Sequence, residues 1–179
     1  MTLREITLGG VLMALGLGLP LLFHALGLGA TFLPMLQPVL AAGLLLSWRP
    51  AVAVGVATPL FSSLLTGMPP MAPPIAVAMA LEGAVLAGLA SFLYCDRGWP
   101  LHGAAAAAVV AERLVMVAAA LVWAPWFGLP ARLTATGLFV QGLPGVAMLI
   151  IAVPVLVRGA QSLDQSLDRK RHAPSQTAA

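Results

Sequence analysis

The sequence predicts an all-α integral membrane protein of six transmembrane helices, with both termini in the cytoplasm. Three observations lead there. Of the 179 residues, 60% are hydrophobic and only 8% are charged, with a mean hydropathy of +0.99, against roughly 45–50% apolar and 25% charged in a soluble domain. Clusters of proline, glycine and charge cut the chain into six apolar segments. The basic residues fall almost entirely on one set of the connections between those segments.

The segments lie near 4–24, 33–48, 51–66, 73–94, 102–124 and 134–158. A straight crossing needs about 17–25 residues. The second and third segments are short, so one of them is tilted, broken or re-entrant. A cleaved signal peptide at the first segment is the lesser reading, because Glu5 sits in the would-be basic region and no clean small-x-small cleavage site follows. The stretch after Arg158, with its QSLD duplication and the basic run Arg169–Lys170–Arg171, reads as a flexible cytoplasmic tail that touches anionic lipid.

Orientation follows from the positive charges. Arg4, Arg49, Arg97, Arg158 and the tail cluster occupy the amino terminus, the second and fourth connections and the carboxyl end. Only Arg132 lies in an opposite connection. Trp48 and Trp99 mark the inner interface in this layout, and Trp123 and Trp126 the outer one. The stretch Thr66–Pro74, TGMPPMAPP, with four prolines in nine residues, then falls in an outer loop, where water or protein satisfies the backbone that proline disrupts.

Composition also excludes functions. The pI is near 10.0, but nine basic residues spread along the chain form no nucleic-acid stripe. The single cysteine, Cys95, rules out an intrachain disulfide framework and a cysteine-rich metal site. The only lysine is Lys170 and there is no phosphate-binding G-x-x-x-x-G-K-[ST] loop, nor a G-x-S-x-G or H-E-x-x-H motif. No cofactor, metal or catalytic activity of its own is expected.

Three ionisable residues fall deep in apolar segments: Glu82 in the fourth, Glu112 and Arg113 in the fifth. Each charge at a helix centre costs roughly 2.5–3.5 kcal/mol on insertion scales, so all three are expected to face the bundle interior. Adjacent helical residues point about 100° apart. Glu112 and Arg113 are therefore not expected to face one partner squarely, and one of them would pair with Glu82 across a helix interface. A structural ion pair and a polar ligand pocket both remain open. Gln37, Gln141 and His24 are further polar candidates, each as compatible with interhelical bonding as with a ligand. Gly10, Ala14 and Gly18 form a small-residue stripe on the first segment that permits close helix approach, within the chain or to a partner.

The order of LPLLFH, FLPMLQPVLAAGLLL, TPLFSSLLTGMPPMAPP, AMALEGAVLAGLASFLY and LPGVAMLIIAVP resembles the substrate-binding S components of energy-coupling factor transporters, over residues 4–158. The resemblance implies a six-helix subunit that binds a vitamin or vitamin precursor near the outer face of a prokaryotic cell membrane. It implies as partners a membrane coupling protein, the T component, and two cytoplasmic ATPases. Gly10, Ala14 and Gly18 would then be the coupling-protein contact. Gly67, Met68, Pro69 and Pro70 would cover the site, and Glu82, Arg113, Gln37, Glu112, His24 and Trp123 are the candidate ligand contacts. Where the family commonly carries a histidine after the Pro-Met of its second helix, this chain has Leu36 followed by Gln37. Its arginine in the fifth segment is preceded by Glu112 where a glycine is expected. A pocket of mixed charge would suit a zwitterion or an acid bearing amides. The alternatives are a self-sufficient proton-coupled carrier relaying through Glu82 and Glu112, and a membrane scaffold without a ligand.

Overall fold

The chain enters its first helix through a capping box. The Thr2 hydroxyl accepts from the Glu5 N–H at 3.2 Å, and the Glu5 carboxylate accepts from the Thr2 N–H at 2.8 Å, so two of the free amides at the helix start are satisfied. In this computed structural model, residues 2–72 and 74–172 are described, with side chains to 166; all the regular structure among them is helical. Helix α1 spans Leu3–Ala25, and α2 is a single turn, Gly29–Phe32, that stops at Leu33 in the left-handed conformation. Then come α3 (Leu36–Leu45), α4 (Trp48–Thr66) and α5 (Ile75–Ser91), which runs on as a π turn through Phe92–Asp96. Helix α6 spans Leu101–Trp123 and closes in a tight turn at Ala124–Phe127, followed by α7 (Ala131–Gln141) and α8 (Leu143–His172).

Four of these helices are long and apolar enough to cross a membrane: Leu3–Ala25, Ile75–Asp96, Leu101–Phe127 and Leu143–Ser166. Helix α3 has 10 residues, about 15 Å at 1.5 Å per residue, half of a hydrocarbon core.

Several expected boundaries move, each for a local reason. The second connection is Leu46–Ser47, so that Arg49 and Pro50 belong to the first turn of α4, where a proline's missing N–H would have had no helical partner anyway. The sixth apolar segment is not one helix but breaks at Gly142 into α7 and α8. The stretch expected to be a flexible tail from residue 159 instead continues α8 to His172; residues 173–179 lie outside the described part, as does Pro73 of the proline-rich stretch.

The core is built by α3, α5, α6 and α8 around Leu40, Leu44, Leu86, Ala87, Ala104, Ala108 and Leu149, all fully buried. Small residues let the backbones touch. A Cβ on Gly55 would lie 2.2 Å from the Gly83 carbonyl oxygen, and one on Gly83 would lie 2.3 Å from the Gly55 oxygen. Pro59 in α4 has no N–H to offer that Gly55 carbonyl four residues back. The freed oxygen is the one that Gly83 approaches, in the manner of Cα–H···O contacts between helices. This crossing fixes the height of Glu82, the residue before Gly83.

Helix α1 buries one narrow face, Gly9, Leu12, Gly16 and Pro20. At its amino-terminal end the Glu5 carboxylate also accepts from the Ser47 hydroxyl at 2.5 Å, and Arg4 pairs with Asp164 of α8. The arginines Arg4, Arg49, Arg97 and Arg158 belong to this end of the bundle. The opposite end gathers the carboxyl ends of α1 and α4, the amino-terminal half of α5, and the loop between α4 and α5.

Candidate functional site

At that opposite end lies a cavity of about 450 Å³, within the range of small-molecule sites. Pro20, Leu21 and His24 of α1 line one side, one turn apart on a single helix face. Residues 33–36 between α2 and α3 form a second wall, and Ser62 and Thr66 end α4 against it. Met68, Pro69 and Pro70 cover it from the loop, Ile75, Met79 and Glu82 face it from α5, and Arg113, Leu138 and Gln141 close it from α6 and α7.

The loop is held in place by its neighbours. The Ser62 hydroxyl donates to the Met68 carbonyl at 2.6 Å, and the Thr66 hydroxyl donates to the Ser62 carbonyl at 2.7 Å while accepting from the Met68 N–H at 3.2 Å. Gly67 terminates α4 in the left-handed conformation (φ 73°) and returns its N–H to the Ser63 carbonyl. On the far side the Ala76 N–H reaches the Pro70 carbonyl at 3.1 Å. Met68–Pro69 is a cis peptide. Of the four loop residues expected over the site, Met68, Pro69 and Pro70 reach the cavity and Gly67 acts as the helix stop behind them.

The charged cluster differs from expectation. Arg113 does not leave its neighbour for Glu82. Its Nε donates to Glu112 Oε2 at 2.7 Å and its Nη2 to Glu112 Oε1, a side-on pair within one helix. The two Cβ directions diverge, but the arginine stem is long enough to bend back across the gap, and in a buried setting a two-bond geometry outweighs a single longer one. Glu112 is fully buried and Arg113 is 7% exposed. Glu82, 6% exposed, lies close enough to interact with both, yet the only ion pairs among the described residues are Arg113–Glu112 and Arg4–Asp164. Its carboxylate therefore faces the cavity without a basic partner. Glycine makes room for the pair: a Cβ on Gly142, at the break between α7 and α8, would come within 3.0 Å of Arg113 Nη1.

His24 sits at the mouth. Its Nδ1 is 2.8 Å from the Pro20 carbonyl, which can only accept, so Nδ1 carries the proton and Nε2 of the neutral ring is left as an acceptor. The ring rests on Gly29, where a Cβ would come within 2.4 Å of it.

Three expected site residues are elsewhere. Gln37 donates from Nε2 to the Phe32 carbonyl at 3.0 Å and faces Met148 of α8; it ties down the end of α2 and does not line the cavity. Trp123 is buried against Ala120, Ala124 and Ala135, with Phe127 edge-on at 6.4 Å, and so packs α6 against α7. Glu112 lies behind Arg113. Conversely, Ser62, Thr66 and Met79 reach the cavity although the sequence did not single them out, as does Gln141, one of the polar candidates. The first three stand one helical turn from another lining residue (Ser62 from Thr66, Met79 from Ile75 and Glu82), a spacing readable in the sequence. Gly10, Ala14 and Gly18 are exposed, and nothing lies within 4 Å of a Cβ placed on Gly10 or Gly18; the intrachain packing face of α1 is the neighbouring Gly9–Gly16 stripe.

No family model, curated protein or solved structure matches this chain. The arrangement is an apolar-walled cavity with the Glu82 carboxylate and the Arg113 side chain on its inner wall and a loop anchored over the opening.

Proposed function

We propose that this chain is the substrate-binding membrane subunit of an energy-coupling factor importer. It captures a small water-soluble vitamin or vitamin precursor at the outer face of a prokaryotic cell membrane and passes it inward with a membrane coupling protein and two cytoplasmic ATPases. The observation that carries this reading is the cavity of about 450 Å³ under the proline-rich loop, with Glu82 and Arg113 on its inner wall. In this reading the end bearing Arg4, Arg49, Arg97 and Arg158 is cytoplasmic, and the cavity opens outward. The six crossings are α1, α2–α3, α4, α5, α6 and α7–α8, the shorter pieces being sheltered by their neighbours. The unpartnered Gly10–Ala14–Gly18 face of α1 offers the coupling protein a surface for close backbone approach.

Reconstitution tests it. In proteoliposomes the chain with its coupling protein and ATPases is expected to accumulate its ligand only with ATP, and the chain alone is expected to bind without accumulating. A second reading, a self-sufficient proton-coupled carrier, is favoured by one observation: the Glu82 and Glu112 carboxylates lie side by side. Accumulation by the chain alone under a proton gradient would select that reading and overturn the first.

A further inference from the structure

We infer that the cavity selects its ligand by charge, taking a small molecule that presents a cationic or donor-rich nitrogen group, of the amine or amidine type on a flat apolar body, to Glu82. This rests on reading the chain as a ligand-binding subunit and narrows what it binds.

The first ground is the charge count. Glu82, Glu112 and Arg113 form one buried group of two carboxylates and one guanidinium. Arg113 gives Nε and Nη2 to Glu112, so its charge is committed, and the excess negative charge is the carboxylate that faces the cavity. An anionic ligand would meet an arginine already neutralised and a carboxylate beside it, with little solvent to screen the repulsion. A cationic group meets a carboxylate that, among the described residues, no arginine pairs with.

The second ground is the hydrogen-bond inventory. The hydroxyl protons of Ser62 and Thr66 are spent on main-chain carbonyls, and His24 Nδ1 is spent on Pro20. What these groups still offer is acceptors: the Ser62 hydroxyl oxygen, the lone pair of Thr66 Oγ1 not taken by the Met68 N–H, and the His24 Nε2. Among the lining side chains, donors remain on Arg113, at Nη1 and the second Nη2 proton, and on the Gln141 amide. A partner bearing N–H groups is complementary to the acceptors that α1 and α4 present.

The third ground is the wall. Met35, Met68 and Met79 line the cavity among prolines; thioethers pack well against aromatic faces, and proline rings present flat apolar surfaces. A planar ring bearing the nitrogen group fits between them.

Benzamidine and benzoate test this cleanly, because they share one shape and carry opposite charge. Binding of each to the purified full-length protein in detergent would be measured by saturation-transfer NMR and by thermal shift, with Glu82→Gln alongside. The expected result is binding of benzamidine, no detectable binding of benzoate, and loss of benzamidine affinity by about tenfold or more in Glu82→Gln, the scale of a charge-assisted hydrogen bond. Benzoate binding as tightly as benzamidine, or benzamidine binding unaffected by Glu82→Gln, would overturn the inference while leaving a binding subunit. A ligand that copurifies with the protein and lacks any basic or donor nitrogen would do the same. Failure of both probes together with the absence of any copurifying molecule would sink the binding reading as well. The wild-type comparison of the two probes decides the matter even if the variant does not fold.

Discussion

Two buried carboxylates, only one of them paired with the single guanidinium beside them, respond unequally to substitution. Replacing Arg113 with Met removes the only positive charge from the group and leaves Glu82 and Glu112 buried together; breaking a buried pair in this way costs about 3–5 kcal/mol. Replacing Glu112 with Gln has a different outcome. The guanidinium loses its partner, but Glu82 is beside it, and swinging the Arg113 head group to Glu82 restores an ion pair. The expected cost is then only the difference between a two-bond pair and its substitute, about 1–1.5 kcal/mol. At 1.4 kcal/mol per factor of ten, the two variants should differ by at least tenfold in the folded-to-unfolded ratio. Equilibrium unfolding in mixed SDS micelles, followed by tryptophan fluorescence, measures that ratio. Glu112→Gln should also weaken benzamidine binding, since it hands Glu82 the partner that the ligand would otherwise supply. If Glu112→Gln proves as destabilising as Arg113→Met, or leaves benzamidine binding untouched, the account of Glu82 as the spare carboxylate is wrong.

Three further outcomes follow from the packing. Gly83→Ala would drive a methyl to within 2.3 Å of the Gly55 carbonyl oxygen, forcing α4 and α5 apart at a cost of about 1–3 kcal/mol; Gly10→Ala, with open space around it, should change stability by less than about 0.5 kcal/mol and, under the proposed function, be felt only in pull-down of a coupling protein. Trp123→Leu should lower the SDS midpoint through lost packing against Ala120 and Ala135 yet leave ligand affinity within about twofold, because Trp123 is outside the cavity; a large affinity loss would return it to the site. Cys95 is the chain's single cysteine and is exposed at the basic end, so a membrane-impermeant maleimide should label it in inside-out vesicles and not in intact cells, the reverse result inverting the orientation.

How much of this could be read in advance depended on the kind of signal. Composition and periodicity located the helices: all six apolar segments contain helix, and the proline-rich stretch did prove to be a loop between α4 and α5. Ends governed by one residue's geometry were less legible. Pro50 reads as a breaker but sits where α4 needs no N–H, and Gly142 reads as an ordinary membrane glycine although the chain divides there. Burial of Glu82, Glu112 and Arg113 followed from the cost of placing charge in an apolar segment, and all three are buried. Their pairing did not follow, because 100° spacing constrains Cβ directions and an arginine stem spans the difference. The positions of Trp123 and Gln37 outside the cavity were not legible for a related reason. A large or polar residue at a helix end serves packing and ligand equally well, and only the neighbours decide: Ala120 and Ala135 in one case, the Phe32 carbonyl in the other. The α1 stripe illustrates the limit of spacing alone, since Gly9–Gly16 and Gly10–Gly18 are both small-residue rows and only the first is packed within the chain.

Under the proposed function, the cavity beneath the Met68–Pro70 loop holds a small nutrient through Glu82. Native mass spectrometry of the protein purified from its own membrane, wild type beside Glu82→Gln, measures this most directly. One small molecule is expected at one copy per chain in the wild type, bearing a basic or donor-rich nitrogen group, and lost from Glu82→Gln while the fold is retained. A wild-type protein that is empty and stays empty when challenged with benzamidine, or a ligand held as firmly by Glu82→Gln, would contradict it.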